Sequence, residues 1–515
     1  MRGFSYHFLI FLASSFIVGV FNQSFFISLN SFFPSYKIAY VWAFMLFGIC
    51  LCFELLCYYK LTKIILILFL FSSCVSAFFI DTLRIGITPD VIQSIFNTHF
   101  SEAKGFLSFN LFYSLFIYAL LPSLIVYFYP IKHTSFFWGS ACKIFFIIFY
   151  ALLSFSLWSF VIGKDLIYLL TTQHHLQYTI VPISPIRSAI ILRAQKQKLS
   201  MPYQQIGLDA SISPTQKKRI LVLVIGESLR GSQLHHYSRE LIPKSKTHSQ
   251  LVNFSKFSSC GVITAISVPC MLTHYTHQTY TNRYLSRFTD NILDITQRVG
   301  IQTYWLDSNS GSAKSCIGEV CKRLINVDYF NDLDGAILTK FNSLSKKLNP
   351  NNHYFFVFHT FGSHGPDYFK RYPQEFEIFK PICKENNPNL CTSEELINAY
   401  DNSVLYTDFL LHLTISRLEQ LQKDFDIALW YISDHGESLG ELGNYMHGGL
   451  PYSLAPENQT RVVALAWFGK NLKNEYEKFK SKENSPLSQD YVFHSILGFF
   501  KIQTNIYDQS LDLGS

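Results

Sequence analysis

The sequence predicts an α/β protein in two parts: a five-helix transmembrane domain, then a soluble domain built on a parallel sheet. Three observations point there. Phenylalanine is in excess, with 49 residues, while charged residues make up only 15% of the 515. That apolar excess is concentrated before residue 165, as in a membrane-embedded segment. From Lys218 onward, short β-rich runs alternate with helical stretches: RILVLVIGES, IQTYWLD, HYFFVFHT, FDIALWYISD and RVVALAWFG. Apolar runs of this length, without alternation, fit strands buried on both faces between helices.

The five spans are read at Tyr6–Leu29, Ile38–Tyr59, Leu61–Ile80, Leu111–Tyr129 and Phe136–Ile162. Each is close to the roughly 20 residues a helix needs to cross a bilayer. The first has no clear small-residue cleavage site and four more follow, so it is read as retained. Short-loop positive charge sets the orientation. Arg2, Lys60, Lys63 and Lys132 fall on one side if the N-terminus is cytoplasmic; Lys37 is the exception. Five spans then leave everything after about residue 165 outside. Glu54, near the inner end of the second span, is expected to snorkel or to pair with a lysine.

The cysteines test this topology. Five of the 11 lie in or beside apolar spans, where cysteine acts as a small hydrophobe. The other six form close pairs, Cys260/Cys270, Cys316/Cys321 and Cys383/Cys391, which suggests three disulfides and an oxidising, periplasm-like compartment. Zinc thiolates are the rival reading, but no pair has CxxC spacing. The net charge of +7 suits an acidic membrane surface or an anionic substrate. No basic cluster or aromatic ladder points to nucleic acid.

The expected domains are 1–163, the transmembrane part with an outer loop at 81–110; 164–217, a connector; and 218–515, the catalytic part. The loop has helical spacing from Asp90, with Pro89 at a first-turn position. In the connector, PIRSAIILRAQKQKL is amphipathic, and reads as a helix on the membrane surface or a solvated linker helix. Thr392-Ser393-Glu394-Glu395 can cap a helix running to about Gln422.

Several strands end in residues that bind metals. Glu227 follows RILVLVIG, Asp307 ends IQTYWLD, and His359 ends HYFFVFH ahead of His364. In WYISDHGESLGELGNYMHGG, Asp434-His435 closes a strand and His447 follows. Singly, each is a solvated strand-end polar residue. Together, at the carboxyl edge of one sheet, they make a set of carboxylate oxygens and imidazole nitrogens that suits zinc. Thr264, between Cys260 and Cys270, sits where a helix can begin. It is a candidate nucleophile, because a cation and a helix N-terminus both favour an alkoxide; a capping threonine is the alternative.

With these motifs in order the chain resembles the inner-membrane phosphoethanolamine transferases of Gram-negative bacteria, in the alkaline phosphatase/sulfatase-like superfamily. The resemblance covers nearly the whole chain, through VIGES, SCGVITAISVPCM, WLDSNSG, GSHGPDYFKRYP, AYDNSVLYTD and SDHGESLGELGNYMHGGLPYSLAPENQT. It implies zinc ligands at Glu227, Thr264, Asp434 and His435, with Thr264 also the nucleophile. His364 and His447 match histidines that hold the substrate phosphate or a second zinc, and His359 lies near them. Asn309, Ser310 and Lys314 fall in the segment contacting phosphoethanolamine. Ser94, Thr98 and Glu102, at fourfold spacing on one helix face, match a pattern that helps bind the lipid head group.

The chain departs from the pattern at several points. Ser228 stands where threonine is usual, Val262 and Ile263 replace polar residues, Ser94 replaces asparagine, and 311–321 is longer. These bear on donor contacts and acceptor choice more than on the reaction.

The implied enzyme is a monomeric, multi-pass inner-membrane protein with its catalytic domain in the periplasm. One tightly bound zinc, with a second allowed, serves transfer from phosphatidylethanolamine to lipid A through a phosphoethanolamine-threonine intermediate. Core sugar, periplasmic glucan or protein are alternative acceptors; phosphoglycerol transfer or sulfatase-like hydrolysis is the more distant alternative.

Overall fold

The computed structural model describes residues 5–97, 106–132, 136–198, 201–231, 249–309, 319–385 and 388–515. The chain divides into two units, Met1–Ile92 with Leu107–Leu192, and Gln93–Phe106 with Arg193–Ser515.

The first unit is helical. The first predicted span is two helices, α1 (Tyr6–Phe21) and α2 (Gln23–Leu29), bent by 62°. The bend has a local cause in Asn22. Its side-chain amide donates to the carbonyls of Ile17 (3.1 Å) and Val181 (3.0 Å) and accepts from the Val181 N–H (2.8 Å). Four further helices are long and apolar enough to cross a bilayer: α3 (Ser35–Leu56), α4 (Leu61–Leu83), α6 (Phe109–Phe128) and α7 (Phe137–Ile167). With the bent pair taken as one span, the described residues hold five. Between α4 and α6, α5 (Pro89–Asn97) starts on the proline expected there. A further helix, α8 (Ile183–Lys198), covers the connector stretch as far as Lys198, but its apolar residues are not gathered on one face, so the expected amphipathic helix is not found. The first unit is thus a multi-pass membrane domain.

Two charges in this unit find unexpected partners. Glu54 neither snorkels nor meets a lysine. It shares the buried face of α3 with Cys50 and Phe53, so its carboxylate cannot reach solvent. The His7 Nδ1 on α1 lies 2.8 and 2.9 Å from its two oxygens. Lys37, the exception to the charge bias, pairs with Asp165 at 2.5 Å, which offsets its charge.

The second unit is a seven-stranded sheet between helices. Its strands are β1 (Lys218–Gly226), β2 (Leu251–Asn253), β3 (Gln302–Asp307), β4 (Asn326–Tyr329), β5 (Tyr354–His359), β6 (Phe425–Ser433) and β7 (Ala464–Phe468). The order across the sheet is β2-β7-β6-β1-β5-β3-β4. Alternate residues of β1 feed opposite cores: Leu221, Leu223 and Ile225 one face, Ile220, Val222 and Val224 the other. Helix α11 (Ser393–Glu419) covers one face, and Thr392 caps it as expected. The Thr392 hydroxyl accepts from the Glu395 N–H while the Glu395 carboxylate accepts from the Thr392 N–H.

The sheet is mixed rather than wholly parallel. Strands β1, β3, β4, β5 and β6 pair in parallel, but β7 runs antiparallel to both β6 and β2. The chain leaves β6 at its carboxyl end, and Ala464 at the start of β7 pairs with Ile432 at the end of β6. The strand therefore begins at that edge and runs back. An apolar run buried on both faces reads the same in either direction, so direction was not legible. β2 and β4 were not expected, being only three and four residues long.

Two predictions follow from buried ionisable groups. His353 Nδ1 accepts from the Arg219 N–H (3.1 Å) and His494 Nδ1 from the Asp508 N–H (3.0 Å). Burial lowers each imidazole from 6.5 to about 4. As pH falls below 6.5 the unfolded chain takes up protons that the folded chain refuses. Their contribution is complete above 6.5 and is lost by about pH 4. Thermal melts should fall across that window, and less steeply in His353→Asn/His494→Gln. Separately, His7→Ala should destabilise the detergent-solubilised protein by about 3–5 kcal/mol by leaving Glu54 buried alone. His7→Leu/Glu54→Leu should recover most of that loss in the same melt.

Candidate metal and phosphoryl site

The parallel strands β1, β3, β5 and β6 present their carboxyl ends at one edge, and the polar residues gather there. Glu227 follows β1, Asn309 lies two residues past β3, and Asp434-His435 follows β6. Thr264 opens α9 (Thr264–Leu272), where Ile263 is the cap residue. Thr264 is therefore not the capping threonine: its hydroxyl turns toward the strand ends. Its Oγ1 donates to Glu227 Oε2 at 3.1 Å and lies 3.3 Å from His435 Nε2. The Ile266 and Ser267 N–H groups both donate to the Ile263 carbonyl at 3.0 Å, which fixes the first turn of the helix behind that hydroxyl.

Glu227, Asp434 and His435 are fully buried and place one ligand atom each within 4.8 Å of one another. The hydrogen bonding tests whether they suit a metal. His435 Nδ1 donates to the Gly436 carbonyl (2.9 Å), so Nε2 carries the lone pair. That nitrogen faces Glu227 Oε1 at 3.3 Å and Asp434 Oδ2 at 3.2 Å. A lone pair facing two carboxylate oxygens is repulsive unless a cation stands between them. Asp434 Oδ2 is buried and receives no hydrogen bond, while Oδ1 accepts from the N–H groups of Ser228 (3.1 Å) and His435 (2.7 Å). Burial, then the Glu227 charge, holds the Asp434 carboxyl well above the usual range. Burial likewise raises Glu227, and only positive charge at His435, His364 and His447, or a cation in their place, holds its carboxyl low. Three oxygens and one imidazole nitrogen, all inward, fit a divalent metal.

A second group adjoins the first. Glu227, His364 and His447 also bring ligand atoms within 4.8 Å, and the His435 and His447 rings lie 4.0 Å apart. His364 Nδ1 donates to the Gly365 carbonyl (2.7 Å), leaving Nε2 for the site. His447 Nδ1 contacts Glu437 Oε2 at 2.6 Å. Asn309 Nδ2 donates to Glu227 Oε2 (2.8 Å) and to the Thr360 carbonyl (2.9 Å).

The remaining expected residues are placed as follows. His359 is completely buried, with Nδ1 3.0 Å from Asp307, whose carboxylate also accepts from Trp305 Nε1 at 2.7 Å. Burial lowers His359, but Asp307 outweighs it and holds the imidazole above its usual pKa. Ser94 lies on α5, half-buried. Its neighbour Gln93 groups with the second unit, where its side chain accepts from Arg283 at 2.5 Å. Thr98, Glu102, Ser310 and Lys314 lie outside the described residues. Cys260–Cys270 and Cys383–Cys391 are disulfides; Cys321 is disulfide-bonded, and Cys316 lies outside the described residues.

Three residues at the site were not singled out from sequence. Glu437 is fully buried, and its second oxygen accepts from the Tyr368 hydroxyl at 2.6 Å, so it orients His447. It stood in the quoted motif three residues past Asp434, which was the available signal. Gln489 gave none. Its amide donates to the carbonyls of Ser433 (2.8 Å) and Asp434 (2.7 Å) and accepts from the Cys260 N–H (2.7 Å), joining the Thr264 loop to the Asp434 loop. Gly362 has φ +46°, and a Cβ there would lie 2.9 Å from the Glu227 carbonyl oxygen and 3.1 Å from its nitrogen.

Residues 219–502 match the sulfatase family, and residues 45–197 match the family described as phosphoethanolamine transferase EptA/EptB. Phosphoethanolamine transferase EptA of Escherichia coli K12 is 31% identical over 470 residues, covering 87% of this chain and 84% of the relative. Phosphatidylethanolamine transferase Mcr-2 of Escherichia coli is 31% identical, covering 80% of each. The integral membrane lipooligosaccharide phosphoethanolamine transferase A from Neisseria meningitidis superposes with a TM-score of 0.90 at 26% identity, over 99% of this chain and 98% of that one.

The purified protein should hold a divalent metal, read by elemental mass spectrometry. Asp434→Asn and His435→Ala should strip it while the melt stays cooperative. Glu437→Gln should keep it, because that carboxylate bonds to His447 and Tyr368 rather than to the metal group.

Proposed function

The chain belongs to the phosphoethanolamine transferase family of the alkaline phosphatase/sulfatase-like superfamily, and from that premise we propose that it moves phosphoethanolamine from phosphatidylethanolamine to lipid A by way of Thr264. The observation that carries this reading is the position of the Thr264 hydroxyl, in hydrogen-bond contact with Glu227 and 3.3 Å from His435.

Glu227, Thr264, Asp434 and His435 are the residues that would hold zinc. Bound there, zinc would lower the pKa of the threonine hydroxyl and polarise the phosphodiester. The Thr264 oxygen attacks phosphorus, the bond to the diacylglycerol oxygen breaks, and diacylglycerol departs with a proton. A lipid A phosphate oxygen then attacks the same phosphorus, and Thr264 leaves and regains its proton. This is covalent catalysis in two halves. His447, oriented by Glu437, suits proton transfer through Nε2; His364 presents Nε2 beside it for the phosphoryl oxygens. The N-terminus of α9 adds fixed positive potential where negative charge builds.

The membrane unit tethers the catalytic unit to the bilayer that contains both lipids, which reduces the search to a surface. The disulfides of the catalytic unit support an oxidising compartment, and the charge bias supports a cytoplasmic N-terminus in the inner membrane. The product carries an added amine beside a lipid A phosphate, lowering the negative surface charge that attracts cationic peptides such as polymyxin.

Intact-lipid mass spectrometry on cells expressing wild type or Thr264→Ala tests the reaction, acceptor and nucleophile together. A phosphoethanolamine-sized increase on lipid A in the wild type alone is expected. Unmodified lipid A beside a modified core sugar, glucan or protein would replace the acceptor; glycerol phosphate on Thr264 would replace the donor.

A further inference from the structure

A buried acid lies outside the groups described so far. Asp334 directly precedes α10 (Gly335–Ser345), far in sequence from every site motif. It is buried, and among the described residues it forms no ion pair. Its carboxylate instead accepts three hydrogen bonds. Oδ1 takes the Ser308 hydroxyl at 2.5 Å and the Phe361 N–H at 2.8 Å; Oδ2 takes the Gly362 N–H at 2.9 Å.

Those three donors belong to two site loops. Ser308 precedes Asn309, whose amide bonds Glu227 and the Thr360 carbonyl. Phe361 and Gly362 precede Ser363, whose N–H donates to the Glu227 carbonyl at 3.1 Å, and His364. The loops leave neighbouring strands β3 and β5, and Ser308 also donates to the His359 carbonyl, from its N–H (3.0 Å) and its hydroxyl (3.4 Å). Gly362 approaches Glu227 so closely that a Cβ would lie within 3.2 Å of three of its atoms. A shift of either loop therefore moves a contact of Glu227.

We propose that Asp334 is a positioning residue for phosphoryl transfer: its carboxylate fastens the Asn309 and His364 loops together so that both side chains meet the phosphoryl group in register. The proposal rests on the transferase reading above. It demands a carboxylate. Both oxygens accept, and the amide of asparagine would present an N–H₂ either to Gly362 or to the Ser308/Phe361 pair, donor against donor. Burial without a cation is costly, yet two backbone N–H groups and a hydroxyl compensate for it. The arrangement transmits position, not charge, to the site.

The test uses the full-length protein in detergent, comparing Asp334→Asn, Asp334→Ala and Ser308→Ala with wild type. Metal content and thermal melts are measured first. Two reactions are then followed: phosphoethanolamine transfer from phosphatidylethanolamine, and cleavage of a p-nitrophenyl phosphodiester, which requires the nucleophile but not the proposed donor lipid. We expect Asp334→Asn to retain metal and lose at least about tenfold in kcat on the phosphodiester, with a smaller change in KM. Ser308→Ala should lose less, in the same parameter. A purely structural role would lower the melting temperature and leave kcat per folded, metal-loaded protein unchanged; that result overturns the proposal. If Asp334→Asn does not fold, Ser308→Ala decides, and wild-type kcat there overturns it equally. Wild type that cleaves the phosphodiester but not phosphatidylethanolamine would refute the donor assignment while the kcat ratio still judged Asp334.

Discussion

Two carboxylates buried side by side, with no lysine or arginine paired to them among the described residues, are the constraint on which the catalytic unit depends. Glu227 and Asp434 leave adjacent strands β1 and β6 at the same edge, and both are completely enclosed. Their charges repel at short range in a medium that screens poorly. The fold offers one imidazole lone pair and a hydroxyl toward the same point. Each of these groups offers an atom suited to a metal. A cation held there would complete the cluster, and would then contribute to the stability of the edge as well as to its chemistry.

Several contacts near that edge hold these side chains still. Ser228 donates its hydroxyl to Glu227 at 2.7 Å and its N–H to Asp434, so one residue touches both carboxylates. Gln489 fastens the Asp434 carbonyl to the Cys260 N–H, while the Cys260–Cys270 bridge holds the loop to the helix that Thr264 opens. Glu437 fixes the tautomer and orientation of His447. These supports are backbone and buried side-chain contacts, which suits chemistry in which small displacements are costly.

The membrane unit uses a similar economy. His7 and Glu54 join α1 to α3 inside the apolar layer, where each alone would be expensive. Asn22 spends its amide on a bend rather than leaving it unpaired. Lys37 and Asp165 answer each other. Polar groups in this unit thus report packing, and their partners were not readable from spacing because they lie 47, 159 and 128 positions away.

The class of the fold, the spans, the strands that carry the site and the residues at their ends were all legible in the amino-acid sequence. Those are local properties: apolar run length, strand termination, and a parallel sheet that exposes its carboxyl edge. The Asp434-His435 pair and Thr264 were legible because short motifs held them, and Glu437 stood within one. The tertiary structure alone decided the direction of β7, the burial of Glu54 against His7, and the roles of Gln489 and Asp334. Each depends on which distant backbone atom a side chain meets. No periodicity encodes that meeting, since one buried glutamine or aspartate has the same local pattern wherever its hydrogen bonds go.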